Sequence, residues 1–347
     1  MTCEKCTLTP SLPDSSKKIV LFASHEYMLD KFYENFKSSF DIDKKHSDYL
    51  MILSDFQDFI SVIVSKKVFT EVELKNINVL HMESDEPLTF GAYKRSKTLD
   101  YFINLYYSDD LKWILDNSSI VTYFQPIINV KNDEIVAHEC LSRGIKRDGT
   151  IMPPNVMFES AIKTEMIFNL DRQCRMQALK YAKMKNIKKD IFINFNPTSI
   201  YNPEYCLRDT IKCADELNYD FSKVVFEVVE SSKVDNIAHL KNIFDFYIKM
   251  GFRVALDDVG SGYSSLNMLA DLKPGIIKID MELVRDVSNN PTKKAIVNSL
   301  VYIAREINAL TLAEGIETPE ELETIKMMGV DMGQGYLFGK PSPEPIQ

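Results

Sequence analysis

At 347 residues, with hydrophobic residues at 45% and charged residues at 26%, the chain has the composition of a folded globular protein and not of a disordered one. Its formal net charge of -9 excludes a protein that tracks a nucleic-acid backbone, which needs clustered Lys and Arg to displace counterions, while leaving a small anionic ligand open. No apolar run approaches the roughly 18 residues of a membrane span, and residues 1–18 have no apolar core of a signal peptide, so a cytoplasmic protein without membrane contact is expected.

The length accommodates a barrel of about 250 residues and a module of about 100. The six cysteines are scattered, and in a reducing compartment they read as thiols. Cys3 and Cys6 form the only close pair. That pair reads either as a zinc or redox motif or, lacking a second such pair, as ordinary tail thiols, and the second reading is preferred.

Residues 17–24 (KKIVLFAS) read as a short strand and 27–40 as an amphipathic helix, with Met28, Phe32 and Phe36 at helical spacing. Apolar runs at 49–53, 59–64 and 77–81 complete a small α/β module whose function is not legible. His25, His46 and His81 lie there without the spacing of metal ligands. Phe102, Tyr106, Leu111, Trp113 and Ile114 line a largely helical stretch leading out of the module. The expected division is therefore 1–105, a possible sensory or regulatory module with the start of the linker helix, and 106–347.

After Asn117 the pattern becomes strand-then-helix, beginning with two extended runs, 121–130 and 134–143, around a turn-prone Lys131-Asn132-Asp133. A helix is expected from Asp171, read as its N-cap, to 185. Strands follow at 191–194, 224–229, 253–256, 276–279 and 310–313, with a last short run at 336–338. Helices are expected at 203–217, 237–250, 291–307 and 319–328. This alternation implies a parallel sheet, and the number of units favours an α/β fold closed as a TIM-type (β/α)8 barrel.

Several strands finish in polar residues: Asn194, Glu227, Asp257-Asp258, Lys278 with Asp280, and Glu314. In a barrel the C-terminal strand ends share one mouth. One acid after a strand is ordinarily a helix cap or a solvated loop residue. Five carboxylates and an amide gathered together would repel unless cations sat among them, and hard oxygen donors suit Mg²⁺ or Mn²⁺. The scarcity of His there disfavours a zinc site of the nitrogen and sulfur type. Two such ions about 4 Å apart, bridged by a shared carboxylate, serve phosphodiester hydrolysis, and Asp257-Asp258 offers the bridge. Lys278, set among Ile276, Ile277 and Ile279, reads as a group that orients water or meets developing negative charge rather than as a surface lysine.

Taken together, eight segments in order resemble the EAL family of cyclic di-GMP phosphodiesterases: YFQPI (123–127), HECLSR (138–143), INFNP (193–197), FEVVES (226–231), LDDVGSGYSSL (256–266), IKID (277–280), AEGIET (313–318) and QGYLFGKP (334–341). The resemblance spans about 119–341. It implies a barrel whose mouth binds two Mg²⁺ or Mn²⁺ ions and hydrolyses cyclic di-GMP to linear pGpG. By matching positions, Glu139, Asn194, Glu227 and Asp257 would hold one ion, and Asp257 with Asp258 the other. Lys278 would contact the catalytic water, and Glu314 would be a metal-side or general-base carboxylate. Gln125, Leu141, Arg143, Asp280 and Gln334 match substrate-contacting positions, the Arg143 guanidinium suiting a phosphate oxygen.

Glu230 and Glu317 match acids that brace loops, and 259–265 matches a loop, with Gly260 and Gly262, that links metal binding to a dimer contact; a homodimer through the barrel is implied. Three positions depart from the family pattern: Cys140 for Ala, Val229 for Thr and Val259 for Phe. None removes a ligand; Cys140 is small enough to fill an Ala-like site. The competing reading is a non-catalytic cyclic di-GMP receptor that signals through the N-terminal module, and the complete set of acids and lysine weighs for the enzyme.

Overall fold

The computed structural model describes residues 7–14, 18–44, 46, 48–229, 237–260 and 265–346. Cys3, Cys6, Glu230 and Gly262 lie outside the described residues, as do the side chains of Val229 and Ser265. The chain divides into two compact units: Leu8–Asn117 with Asn155–Ile167, and Ser118–Pro154 with Phe168–Gln347.

The first unit runs β1 (Lys18–Ala23), α1 (Glu26–Phe36), β2 (Asp41–Asp43), β3 (Tyr49–Leu53), α2 (Phe56–Lys66), α3 (Glu71–Asn76), β4 (Ile77–Met82), α4 (Phe90–Tyr93), β5 (Lys97–Thr98), α5 (Leu99–Tyr106) and α6 (Asp109–Asp116). Its strands lie in the order β2-β3-β1-β4-β5 and are antiparallel throughout, a βαββαβ arrangement with one added edge strand. The periodicity dictates it: α1 buries Met28, Leu29, Phe32 and Phe36, and α2 buries Phe56, Phe59, Ile60 and Ile63. Val20, Leu80, Met82 and Ala92 form a separate apolar cluster backed by Phe22, Tyr49 and Met51. The apolar run 59–64 is part of α2, and the stretch through Phe102 and Ile114 is helical as α5 and α6.

The second unit opens with the hairpin β6 (Ile120–Asn129) and β7 (Ile135–Ile145), extended by β8 (Ile151–Met152). The next helix, α7 (Pro154–Lys163), falls in the first unit, and the second continues with α8 (Ile167–Met184), β9 (Asp190–Asn194), α9 (Pro203–Cys206), α10 (Arg208–Glu216), β10 (Val224–Val229), α11 (Ile237–Lys249), β11 (Arg253–Val259), α12 (Ser265–Leu272), β12 (Ile276–Ile279), α13 (Met281–Val284), α14 (Pro291–Glu306), β13 (Leu310–Ala313), α15 (Pro319–Met328) and β14 (Met332–Gln334). The strand order β6-β14-β13-β12-β11-β10-β9-β7 closes through β7–β6 into an eight-stranded barrel. Its first strand is antiparallel to both neighbours, because the five-residue connection 130–134 after β6 reverses the chain with no crossover helix. The remaining neighbours are parallel.

Local chemistry sets the helix ends. Asn290 accepts from the Thr292 and Lys293 amides ahead of Pro291, and Thr318 and Glu321 form a reciprocal capping box at α15, which stops at left-handed Gly329. Three expectations are corrected. Asp171 is no N-cap: α8 begins at Ile167, and Asp171 is a buried residue inside it. The helix over 203–217 is two helices, α9 and α10, and the last barrel strand is β14, while 336–338 form a turn beyond it.

Ile127, Ala137, Phe192, Val225, Ala255, Ile276, Leu312 and Met332 form one apolar cluster, with one residue from each barrel strand. They fill the lumen and make a dry floor, each fully buried Val, Leu, Ile or Phe contributing about 1.5–3 kcal/mol. A second, larger cluster containing Phe124, Cys140, Ile193, Phe226, Leu256 and Ile277 packs between strands and helices.

Candidate active site

Side chains alternate along a strand, so the residue two places beyond each floor residue faces the lumen one layer up. Counting toward the mouth on every strand gives Gln125, Glu139, Asn194, Glu227, Asp257, Lys278, Glu314 and Gln334. Four carboxylates, three amides and one lysine thus form a polar ring above the apolar floor. All eight were singled out from the sequence, and the barrel brings them together.

The ring is wired by hydrogen bonds. Asn194 Nδ2 donates to Glu139 Oε1 (2.9 Å) and Glu227 Oε1 (2.7 Å). Gln334 Nε2 donates to Glu139 Oε2 (2.7 Å) and Gln125 Oε1 (3.0 Å), and Gln125 Nε2 reaches the Gly339 carbonyl (3.3 Å). Lys278 Nζ lies 2.9 Å from carboxylate oxygens of Glu227, Asp257 and Glu314. Its side chain is 1% exposed and that of Glu227 0%, so the charges interact in a medium that screens them far less than water does.

The titration behaviour follows. Burial pushes Glu227 and Glu314 well above the usual carboxylate range, against the Lys278 charge and with nearby acids adding to the rise. Burial would raise Glu139 too, but Lys278 and the hydrogen bonds it accepts hold it below that range. Burial works to lower Lys278, and its carboxylate neighbours, Asp257 first, overcome this and raise it well above the ordinary lysine value. Four carboxylates share this one lysine, an excess of hard oxygen donors of the kind that suits divalent cations.

Asp258 breaks the alternation. On a regular strand it would point away from Asp257, yet the β11–β12 register shifts between Leu256 and Val259 and Asp258 takes φ +53°. This bulge turns both tandem aspartates to one side. Oxygens of Asp257, Asp258 and Glu314 all lie within 4.8 Å of one another. Burial, then Asp257 and Asp280, push Asp258 up to about 6. Asn tolerates a left-handed backbone and a β-branched residue does not. Asp258→Asn is therefore expected to leave thermal stability nearly unchanged, and Asp258→Val to lose about 1–3 kcal/mol; equal stability of the two in urea titrations would refute the bulge's strain.

The other singled-out residues sit around this ring. Leu141 and Arg143 continue the lumen face of β7 beyond Glu139, both half-buried, and the Arg143 guanidinium lies 5.3 Å from the Tyr123 ring centre while donating to the Ser142 carbonyl. Asp280 caps α13, accepting from the Glu282 amide at 2.7 Å. Glu317 pairs with Arg285 (3.1 Å) at the exposed rim. Gln125, Glu139, Asp258, Glu314 and Gln334, with Tyr336, line a half-open cavity of about 470 Å³.

Cys140 faces away from the lumen into the outer core, and burial, with Glu139 and Glu227 adding, raises its thiol well above its ordinary value, so it is a packing residue. Val259 is likewise buried there. Gly260 has φ +110°, a backbone conformation that L side chains rarely adopt, so its glycine is required by the backbone; a Cβ there would also displace the end of the Leu283 side chain.

Sequence reasoning missed Glu321. Its Oε1 accepts from the Asp286 amide (2.9 Å) and its Oε2 from the Glu317 (2.9 Å) and Thr318 (3.1 Å) amides, tying the turn after Glu314 to the one after α13. The Thr318-x-x-Glu321 spacing, a capping-box signature, was the available signal.

An eight-stranded barrel with a carboxylate-rich mouth at the strand C-termini defines a TIM-type enzyme scaffold. The chain belongs to the EAL domain family, whose profile matches residues 108–341. A standalone EAL protein of Vibrio cholerae O395, solved with c-di-GMP bound, is 33% identical with a TM-score of 0.60; the match covers 66% of this chain and 94% of that one. Cyclic di-GMP phosphodiesterase PdeR of Escherichia coli is 27% identical over 70% of this chain and 37% of its own length. Cyclic di-GMP phosphodiesterase RocR of Pseudomonas aeruginosa is 28% identical over 66% of this chain and 59% of its own. The chain thus spans less than two thirds of either of these two curated relatives. Among the described residues no helix is long and apolar enough to cross a membrane.

Proposed function

We propose that the barrel is a metal-dependent phosphodiesterase that opens cyclic di-GMP to linear pGpG. The observation that carries this reading is the polar ring: one lumen-facing group from each strand, rich in acids, above a sealed apolar floor. The donor set fits divalent cations, since it offers hard oxygens, three of them within 4.8 Å of one another, and no thiolate or imidazole. Glu139, Asn194, Glu227 and Asp257 would hold one Mg²⁺ or Mn²⁺, and Asp257 with Asp258 the second. When bound, the ions supply a water acidified to near neutrality and charge to stabilise the phosphoryl oxygens.

The chain's own groups do the rest. Asn194 and Gln334 donate to the Glu139 carboxylate from both sides and so fix the direction of its lone pairs. Lys278, kept protonated by its acids, donates toward the attacking oxygen and the charge that develops on phosphorus-bound oxygens. Glu314, paired with Lys278, would take the proton that the attacking water loses. The new P–O bond forms from water as the bond from phosphorus to the 3′ oxygen breaks, leaving a 5′-phosphate on the product. Arg143 would meet a phosphate oxygen, and Gln125, Leu141, Asp280 and Gln334 the rest of the dinucleotide.

The assignment of 106–347 to this activity and of 1–105 to a regulatory module, the homodimer and a cytoplasmic setting belong to the same reading. Chromatography of cyclic di-GMP incubated with the full chain is expected to yield pGpG with Mg²⁺ or Mn²⁺ and nothing after chelation. Tight binding with no product in either metal would overturn the enzyme and leave the receptor.

A further inference from the structure

We infer that Asp171 is a positioning residue for the mouth, acting through the turn that follows Asn194. It sits inside α8, 1% exposed, one helical turn before Arg175, which is 2% exposed. The two side chains form an ion pair. Asp171 Oδ1 accepts from the Asn196 amide at 2.8 Å and Oδ2 from Ser199 Oγ at 2.6 Å. Arg175 Nε in turn donates to Thr210 Oγ1 of α10 at 3.1 Å.

Asn196 caps and Ser199 ends the short turn Pro197–Ser199, which begins three residues after Asn194. Asn194 is the group that donates to both Glu139 and Glu227. The Phe195 amide between them is held by the Glu227 carbonyl at 3.0 Å. A continuous chain of contacts therefore runs from α10 through Arg175 and Asp171 to the backbone beside Asn194. Burying a carboxylate so completely is unfavourable unless its lone pairs are used, and an apolar pair would hold α8 in place as well. What the charged pair adds is direction: it fixes where the Asn196 amide points, and with it the reach of the Asn194 amide into the ring.

This inference rests on reading the mouth as a divalent-cation site. The test uses the full chain and two readouts: Mn²⁺ affinity, from the electron paramagnetic resonance of free Mn²⁺, and hydrogen exchange of the Phe195, Asn196, Thr198 and Ser199 amides. Asp171→Asn keeps the shape and removes the charge; it is expected to weaken Mn²⁺ binding about tenfold, within the range for outer partners of metal ligands, and to speed exchange at Asn196. Ser199→Ala, which removes one bond and leaves the ion pair, is expected to shift both readouts in the same direction by less, and it decides the matter if Asp171→Asn does not fold. Arg172→Gln breaks the neighbouring Arg172–Asp209 pair on the same helix and is expected to alter stability without changing Mn²⁺ affinity. Folded Asp171→Asn with wild-type Mn²⁺ affinity, while the wild type binds Mn²⁺, overturns this inference alone. A wild type that binds no Mn²⁺ overturns it together with the reading of the mouth.

Discussion

Glu139→Ala is expected to reduce cyclic di-GMP turnover by about 10³-fold, the upper range for removing one group of a preorganised electrostatic site, while the protein stays folded. Burial works to raise Glu139 as it does Glu227 and Glu314, but Lys278, Glu227 and the amides of Gln334 and Asn194 favour its charged form and hold it below the usual carboxylate range. Glu139 is thus charged and ready to meet a cation at neutral pH. Its removal leaves its donors partly satisfied, since Asn194 keeps Glu227 and Gln334 keeps Gln125, so the stability loss stays near 1–3 kcal/mol. Product chromatography, with thermal melting beside it, checks both halves. A folded variant retaining a tenth of wild-type turnover would remove Glu139 from the chemistry.

Lys278→Met should separate turnover from affinity. The substitution keeps the unbranched stem as far as Cε but leaves Glu227, Asp257 and Glu314 without the cation that each now meets at 2.9 Å. Turnover is expected to fall about 10²–10³-fold, and cyclic di-GMP affinity less than about tenfold, as for a group whose interaction strengthens in the transition state. Removing one member of a buried ion network also costs about 3–5 kcal/mol, and this cost has a pH signature.

Glu227 and Glu314 have raised values in the folded state, so between the ordinary carboxylate value and the raised one the native protein binds more protons than the unfolded chain. Stability falls as pH rises through that window. Lys278 opposes the rise, so its loss widens the window and steepens the fall. Urea unfolding of metal-free protein is therefore expected to show a smaller deficit for Lys278→Met at pH 5.5 than at pH 8. A deficit equal at both would mean that the lysine's partners do not titrate with it.

Much of the site was legible because strand endings are short and polar against an apolar background: Asn194 after Ile-Phe-Ile and Glu227 after Val-Val-Phe stand out by contrast. Others were not. Asp171 precedes a helical pattern and is a residue type that caps helices, so local chemistry pointed to a terminus; its real partners, Asn196 and Ser199, lie 25 and 28 positions away. Nothing local distinguishes a capping aspartate from a buried one.

Composition, periodicity and the order of eight short motifs were enough to determine a barrel, its family resemblance and the residues of its mouth, because each is written in contiguous stretches. Tertiary structure alone decided the rest. Strict alternation on eight closed strands put the polar ring one layer above Ile127, Phe192 and their counterparts, and a single left-handed residue at Asp258 turned two consecutive acids the same way. It also set the burial that drives Glu227 up and gathered the carboxylates that raise Lys278 against that burial. These depend on which backbones lie side by side and how far water is excluded, and neither is a property of any one segment.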